Sequence, residues 1–419
     1  MRIEIVTIGT EILSGRTFDT NFAFLARLLE EASVQVAWHT TVPDTPEGIS
    51  EGLGRALERS EAVIVTGGLG PTPDDITRKT VAGLLGRPLQ LDEATLEHIR
   101  SRGRRLGRKL PATVETMALV PRGAELWQNP VGAAPGILVE HKGKPVILLP
   151  GVPQEMEAIA REYVVPYLRE RSGVALECFT LRVYGVFESQ LHERIGTLPD
   201  SWHGASLAYL PSYFGVDLRV MTSGANPVAV HEAAMQAHRD LLALVAPVVY
   251  AEGTRGMEEV VGDALIARTW RIATAESCTG GLLTKRLTDV AGSSRYVERG
   301  FVTYSNESKL ELLGVDPADL AAHGAVSAPV AEQMARGARE RSGAEVGVAI
   351  TGIAGPDGGS EEKPVGTVFI AISSPLGDVV RLLRMSGSRA VIRERSTQTA
   401  LDLVRRQLAG LPIDPSLEG

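Results

Sequence analysis

Three short apolar, strand-like runs in this chain end in glycine-rich loops. Ala62 to Thr66 enters Gly67-Gly68-Leu69-Gly70, Arg271 to Ala275 enters Glu276-Ser277-Cys278-Thr279-Gly280-Gly281, and Gly347 to Thr351 enters Gly352-Ile353-Ala354-Gly355. The first two loops lead straight into helix-like stretches, a junction that belongs to parallel sheets flanked by helices. It also carries chemistry. The first N–H groups of a helix lack intrahelical partners and lie at the positive end of its dipole, so such a loop can hold a phosphate or a developing oxyanion.

Around these junctions the alternation of strand and helix defines α/β domains. Ile3 to Gly9 is apolar, Asn21 to Ala32 amphipathic, Val34 to Val42 strand-like and Glu47 to Ser60 helix-like. The pattern resumes at Val146 to Leu149, turns at Pro150-Gly151-Val152-Pro153 and runs as a helix to about Arg169. One doubly wound α/β domain over 1–170 accounts for it. From Leu176 the order becomes strand (Cys178 to Tyr184), helix (Glu188 to Ile195), two strands (Ser206 to Leu210, Gly215 to Met221), helix (Pro227 to Val245) and strand (Pro247 to Tyr250). This predicts a small β-α-β-β-α-β domain over 171–252. RNA-binding KH domains use a related fold, but their GXXG clamp is missing and basic residues are few, which favours a structural spacer. After a linker at Glu252 to Gly256, an α/β pattern returns over 257–412, with strands at Arg271 to Ala275, Arg299 to Tyr304, Gly347 to Thr351 and Gly366 to Ser373 and a last helix from Ser388 to Leu408.

Composition removes several alternatives. The 43 basic and 51 acidic residues leave a net charge of −8, which opposes direct DNA binding. Cys178 and Cys278 are far apart and lack metal-ligand spacing, so neither a disulfide framework nor a zinc site is expected. No signal-like segment precedes Ile3 and no apolar run reaches membrane-spanning length, so a cytoplasmic protein without membrane contact is expected. Only seven of the basic residues are lysine. Because a desolvated lysine can lose its proton and an arginine cannot, a lysine near a candidate site is informative.

In the third domain Ser277 lacks the flanking glycines of a G-x-S-x-G elbow, which excludes an α/β-hydrolase and calls for another base. Lys285, eight residues on, would lie roughly 10 Å along a helix at about 1.5 Å per residue and point away. Lys309, in Phe301-Val302-Thr303-Tyr304-Ser305-Asn306-Glu307-Ser308-Lys309, follows a strand end and can approach Ser277 across the sheet's carboxyl edge. It could act as a neutral base, with Tyr304 relaying a proton or orienting the amine. The loop beginning at Thr351, Gly352 and Gly355 could form the opposite wall of the pocket.

These segments, with Ala291-Gly292-Ser293-Ser294, closely resemble the C-terminal domain of the CinA family, the nicotinamide mononucleotide deamidases, over essentially all of 257–412. The resemblance implies that Ser277 attacks the carboxamide of nicotinamide mononucleotide, that Lys309 assisted by Tyr304 is base and then acid, and that ammonia and nicotinic acid mononucleotide are released without a cofactor. The substrate's phosphate and the oxyanion need separate N–H clusters. Thr279, Gly280 and Gly281 are one candidate, and the loop from Thr351 through Gly352 and Gly355 is the other.

In the first domain, Gly67, Gly68 and Gly70 precede a helix in Gly67-Gly68-Leu69-Gly70-Pro71-Thr72-Pro73-Asp74-Asp75-Ile76-Thr77, which suits a phosphate or pyrophosphate but matches neither G-x-G-x-x-G nor a Walker loop. Asp74 and Asp75 could offer oxygen ligands to Mg²⁺ or a similar divalent ion, or could merely cap the helix; Asp44, at the end of the second strand, could join them. The motif resembles the molybdopterin-binding fold shared by molybdopterin adenylyltransferases and the CinA N-terminal domain. Gly9 to Gly15, Thr20-Asn21 and Leu149 to Met156 are similar to CinA specifically. That family implies metal-dependent hydrolysis of ADP-ribose to AMP and ribose 5-phosphate, with Thr77 completing the glycine loop. Two other readings stand beside this bifunctional salvage hydrolase: a domain that binds or adenylylates molybdopterin, and a non-enzymatic competence or recombination accessory. A homodimer is the expected assembly.

Overall fold

Ile3–Ile8 (β1) is buried at every position, as a strand covered on both faces must be. The computed structural model describes residues 1–415 except 33, 106, 108–110, 174, 197–201 and 203. In it, β1 lies between β2 (Val36–Val42) and β3 (Ala62–Thr66) and runs parallel to both. Side chains of alternate residues enter two different cores. Ile3, Ile5, Ile64 and Ile147 pack on one face, and Val6, Ile8, Val63, Val65 and Val146 on the other.

β4 (Leu89–Leu91) and β5 (Leu119–Pro121) pair as a separate ribbon. β6 (Glu125–Trp127), β7 (Gly136–His141) and β8 (Lys144–Leu149) complete a six-stranded sheet of order β2-β1-β3-β8-β7-β6. β8 is parallel to β3, β7 is antiparallel to β8, and β6 is antiparallel to β7. The sequence reading placed no strand between β3 and β8. Three-residue strands such as β4, β5 and β6 are too short to display a period.

The chain divides into two compact units, Met1–Cys178 with Thr222–Glu232, and Phe179–Met221 with Ala233–Gly419. A small sheet is built from β9 (Ala175–Val183), β10 (Ser206–Ser212), β11 (Gly215–Gly224) and β12 (Val249–Glu252) in the order β10-β11-β9-β12. With helices Glu188–Ile195 and Pro227–Val245 it follows the β-α-β-β-α-β order. The second unit holds a five-stranded sheet, β14-β13-β15-β16-β17, made of β13 (Ile272–Glu276), β14 (Val297–Val302), β15 (Val346–Gly352), β16 (Thr367–Ser373) and β17 (Val379–Arg384). β13 is parallel to β14 and β15, β16 is antiparallel to β15, and β17 is antiparallel to β16. The chain is therefore a multidomain α/β protein. Among the described residues no helix is long and apolar enough to cross a membrane.

Candidate active site

Ser277 follows the last residue of β13, and its own N–H donates to the Ile350 carbonyl at 2.9 Å, which ties it to the end of β15. Lys309 lies in helix Asn306–Leu313, which Ser305 caps by accepting from the Ser308 N–H. That cap turns the chain so that the carbonyls before the helix surround the lysine amine. Lys309 is only 1% exposed, and its Nζ lies 3.2 Å from Ser277 Oγ, 2.8 Å from the Thr303 carbonyl and 3.3 Å from those of Tyr304 and Ser305. Burial lowers its pKa from the ordinary 10.5, against a smaller opposing pull from Cys278 and Glu307. Once neutral, the amine keeps two N–H groups for the carbonyls and can turn its lone pair to the serine.

Tyr304 meets this lysine through its carbonyl. Its side chain is 63% exposed, and its hydroxyl accepts from Arg389 Nη2 at 3.2 Å. The hydroxyl relay considered from sequence has no hydrogen bond to travel along here. Lys285 points away as expected, paired with Asp289 one turn on. Cys278 is buried and its thiol is pushed up to about 11, so it is a neutral thiol beside the serine rather than a competing nucleophile.

The helix mouth is already filled. Glu276 is fully buried, and its carboxylate accepts from the N–H groups of Gly281 (3.0 Å), Leu283 (3.0 Å) and Thr284 (2.8 Å) and from the Thr284 hydroxyl (2.8 Å). The Gly280 N–H donates to the Ser277 carbonyl. An anion therefore cannot use Gly280 or Gly281 as the sequence suggested, because the chain supplies its own carboxylate there. Of the loop's amides, those of Cys278 and Thr279 make no hydrogen bond among the described residues. They adjoin the serine, the position from which an N–H can reach an oxyanion.

On the opposite wall Thr351 ends the expected strand, and Gly352, expected in the loop, continues β15; they pair with Phe369 and Val368. The Thr351 hydroxyl donates to the Ala325 carbonyl, and a Cβ on Gly352 would stand 2.7 Å from Val368 Cγ2. Both are structural. Gly355, with φ +76°, presents its carbonyl to Arg389 Nη1 at 2.8 Å. Arg389 and Arg393 come from helix Arg389–Ala409, and Arg393 Nη2 donates to the Thr279 carbonyl at 2.6 Å. Sequence reasoning missed both because they look like ordinary charges on a helix face. Their only distinguishing signal is their spacing of one helical turn.

The first unit gathers a second constellation where β1, β2, β3 and β8 end. Gly67 and Gly68 have φ of +112° and +62°; a Cβ on Gly68 would stand 2.2 Å from Thr77 Oγ1, and one on Gly70 2.4 Å from Asp75 Oδ2. The loop thus needs glycine for both conformation and room. Asn21 Nδ2 donates to Thr66 Oγ1 and to the Gly151 carbonyl, which joins the segments similar to CinA. Buried Arg78, also unforeseen, donates to the carbonyls of Leu69 and Gly70.

Asp44 Oδ2 accepts from the Thr10 N–H at 2.8 Å, so it braces the loop after β1. Asp75 Oδ2 accepts from the Thr72 N–H (2.8 Å) and hydroxyl (2.5 Å), and Asp74 is exposed. Among the described residues no three His, Cys, Asp or Glu side chains form a cluster able to hold a metal. Adjacent Asp74 and Asp75 suit a Mg²⁺ ion only if water and substrate phosphates complete its shell, a common arrangement for that ion.

Some buried polar side-chain atoms at both sites have no protein partner among the described residues. Of eight such side-chain atoms among the described residues, Thr279 Oγ1, Thr303 Oγ1 and Arg393 Nε lie on residues of the serine site, and Asn21 Oδ1 and Thr77 Oγ1 on residues of the glycine loop.

Fold and sites together define a protein with a molybdopterin-binding-like domain, a KH-like domain and a C-terminal domain carrying a serine–lysine pair. Family models match accordingly: "Probable molybdopterin binding domain" over residues 4–170, "Damage-inducible protein CinA KH domain" over 180–251 and "CinA C-terminal domain" over 254–408. A CinA-like protein of Chlorobaculum tepidum is 44% identical over 416 residues, spanning 98% of either chain, and one of Gemmatimonas aurantiaca is 44% identical over 417 residues, spanning 98% of this chain and 97% of its own. The crystal structure of a CinA protein from Thermoplasma acidophilum is similar over 38% of this chain and 94% of its own, with 40% identity and a TM-score of 0.36. The chain belongs to the CinA family.

Proposed function

We propose that the C-terminal domain hydrolyses the carboxamide of nicotinamide mononucleotide to nicotinic acid mononucleotide and ammonia. The observation that carries this reading is the buried Lys309 amine 3.2 Å from Ser277 Oγ. Lys309 takes the hydroxyl proton as Oγ bonds to the carboxamide carbon, and the Cys278 and Thr279 N–H groups receive the oxyanion. The C–N bond then breaks as Lys309 returns the proton to the departing ammonia. Water, deprotonated by the same amine, opens the acyl-serine to the carboxylic acid and restores the hydroxyl. Because Glu276 occupies the helix mouth, the substrate phosphate is assigned to Arg389 and Arg393, with Tyr304 holding Arg389 in place.

For the N-terminal domain we infer hydrolysis of ADP-ribose to AMP and ribose 5-phosphate. The Gly67–Gly70 loop and Thr77 would receive the pyrophosphate, and Asp74 and Asp75 would hold a divalent ion shared with it. Such an ion neutralises phosphate charge and activates water. The family match also keeps molybdopterin binding as a second reading for this domain. Incubating the full chain with nicotinamide mononucleotide, and separately with ADP-ribose plus Mg²⁺ or Mn²⁺, tests both assignments through ammonia and AMP release. Absence of ammonia removes the first; binding of molybdopterin without AMP release would replace the second.

A further inference from the structure

A cavity of about 950 Å³ lies within the second unit, between the small domain and helix Arg389–Ala409, and neither Ser277 nor Lys309 lines it. Its size is near the upper end of small-molecule sites, roughly 300–1,000 Å³. Tyr184, Tyr213, Leu383 and Met385 supply flat and flexible apolar surface. Three arginines (Arg381, Arg384 and Arg395) and three carboxylates (Glu188, Asp402 and Asp414) line it, but they do not pair one to one. Asp402 is held by Arg405 and Arg406, and Asp414 by Arg381, whereas the guanidinium groups of Arg384 and part-buried Arg395 have no hydrogen bond or ion pair among the described residues. Glu188 is the remaining carboxylate in the lining. An unpaired guanidinium beside apolar and aromatic walls matches a planar ring joined to a phosphate.

The same helix serves both places. Val391, Arg395 and Thr399 face this cavity, while Arg389 and Arg393 reach Gly355, Tyr304 and Thr279 at the serine site. Residues two apart are turned about 200° around a helix, so these sets lie on nearly opposite sides of it. Ser388, which caps the helix by accepting from the Val391 N–H, lines the cavity as well.

We propose that this cavity binds a nucleoside monophosphate, its phosphate on Arg384 and Arg395 and its base against Tyr213, and that occupancy is transmitted through helix Arg389–Ala409 to Arg389 and Arg393. The transmission rests on the deamidase reading; the binding does not. The test uses the full chain with AMP as probe in equilibrium dialysis, with adenosine and inorganic phosphate as comparators. The R384A/R395A variant should lose one equivalent of bound AMP or weaken it at least tenfold, and Tyr213→Ala, a change on an exposed hairpin, should weaken the same equivalent. Melting curves establish that each variant is folded, and if the double variant is not, Tyr213→Ala decides. AMP binding unchanged in the folded variants, or adenosine held as tightly as AMP, would overturn the site. AMP should also shift the rate or KM for nicotinamide mononucleotide in the parent chain but not in R384A/R395A; binding without such a shift overturns the coupling. Failure to release ammonia under any condition counts against the deamidase reading and leaves the dialysis result to judge the cavity.

Discussion

At the residue scale the deciding group is Lys309, because its role depends on being able to give up a proton. Ser277→Ala should reduce ammonia release by about 10³-fold or more, as loss of a nucleophile does. Lys309→Arg keeps the positive charge but cannot become neutral, so it should be nearly as damaging as Lys309→Ala in the same assay. The pH dependence has a definite sign. Burial holds the folded-state pKa of Lys309 below 10.5, so the neutral fraction, and with it kcat/KM, rises with pH on a limb whose midpoint lies below that value. Over the same window the unfolded chain binds the proton more tightly, and this group makes folding more favourable as pH rises. A rate profile without that limb, or one that persists in Lys309→Arg, would remove the lysine from the chemistry. Both residues of the proposed pair were legible in the sequence, since serine at a strand end and lysine after a neighbouring strand are positional signals. The orientation of Tyr304 was not, because which part of a residue faces a neighbour depends on the turn that Ser305 sets.

At the element scale, the junction after β13 works through Glu276, a residue the sequence showed without showing its use. Its carboxylate ties strand to helix through four hydrogen bonds. Glu276→Ala would strand three amides at a buried helix start and should lower stability by about 3 kcal/mol or more, read as a fall in the denaturation midpoint. Glu276→Gln keeps one acceptor oxygen and should lie between Ala and the parent. Equal stability in Ala and Gln would mean that these bonds contribute nothing. In the first unit, Gly68→Val would bring Cβ within 2.2 Å of Thr77 Oγ1 at a φ of +62° and should abolish AMP release from ADP-ribose, with ammonia release unchanged. Glycines mark such crowded turns in any sequence. Whether the N–H groups they expose remain free for a ligand depends on side chains that arrive from elsewhere.

At the scale of the whole molecule, two chemistries are assigned to two separately packed units, and they should separate experimentally. Chelation of divalent metal should stop AMP release and leave ammonia release intact, whereas Ser277→Ala should do the reverse. Loss of both activities under chelation would refute the assignment of metal to the N-terminal domain alone. Strand–helix alternation, the small β-α-β-β-α-β order and the strand-end positions of Ser277 and Lys309 were determined by the sequence itself, because periodicity and strand-end position are local properties of the chain. Folding decided the rest. It joined β6 and β7 to the first sheet, drew Gly352 into β15, filled the helix mouth with Glu276 and brought Arg389 and Arg393 to the serine site. Each of these rests on hydrogen bonds or packing between segments distant in sequence or on competition for one amide, which no local pattern records.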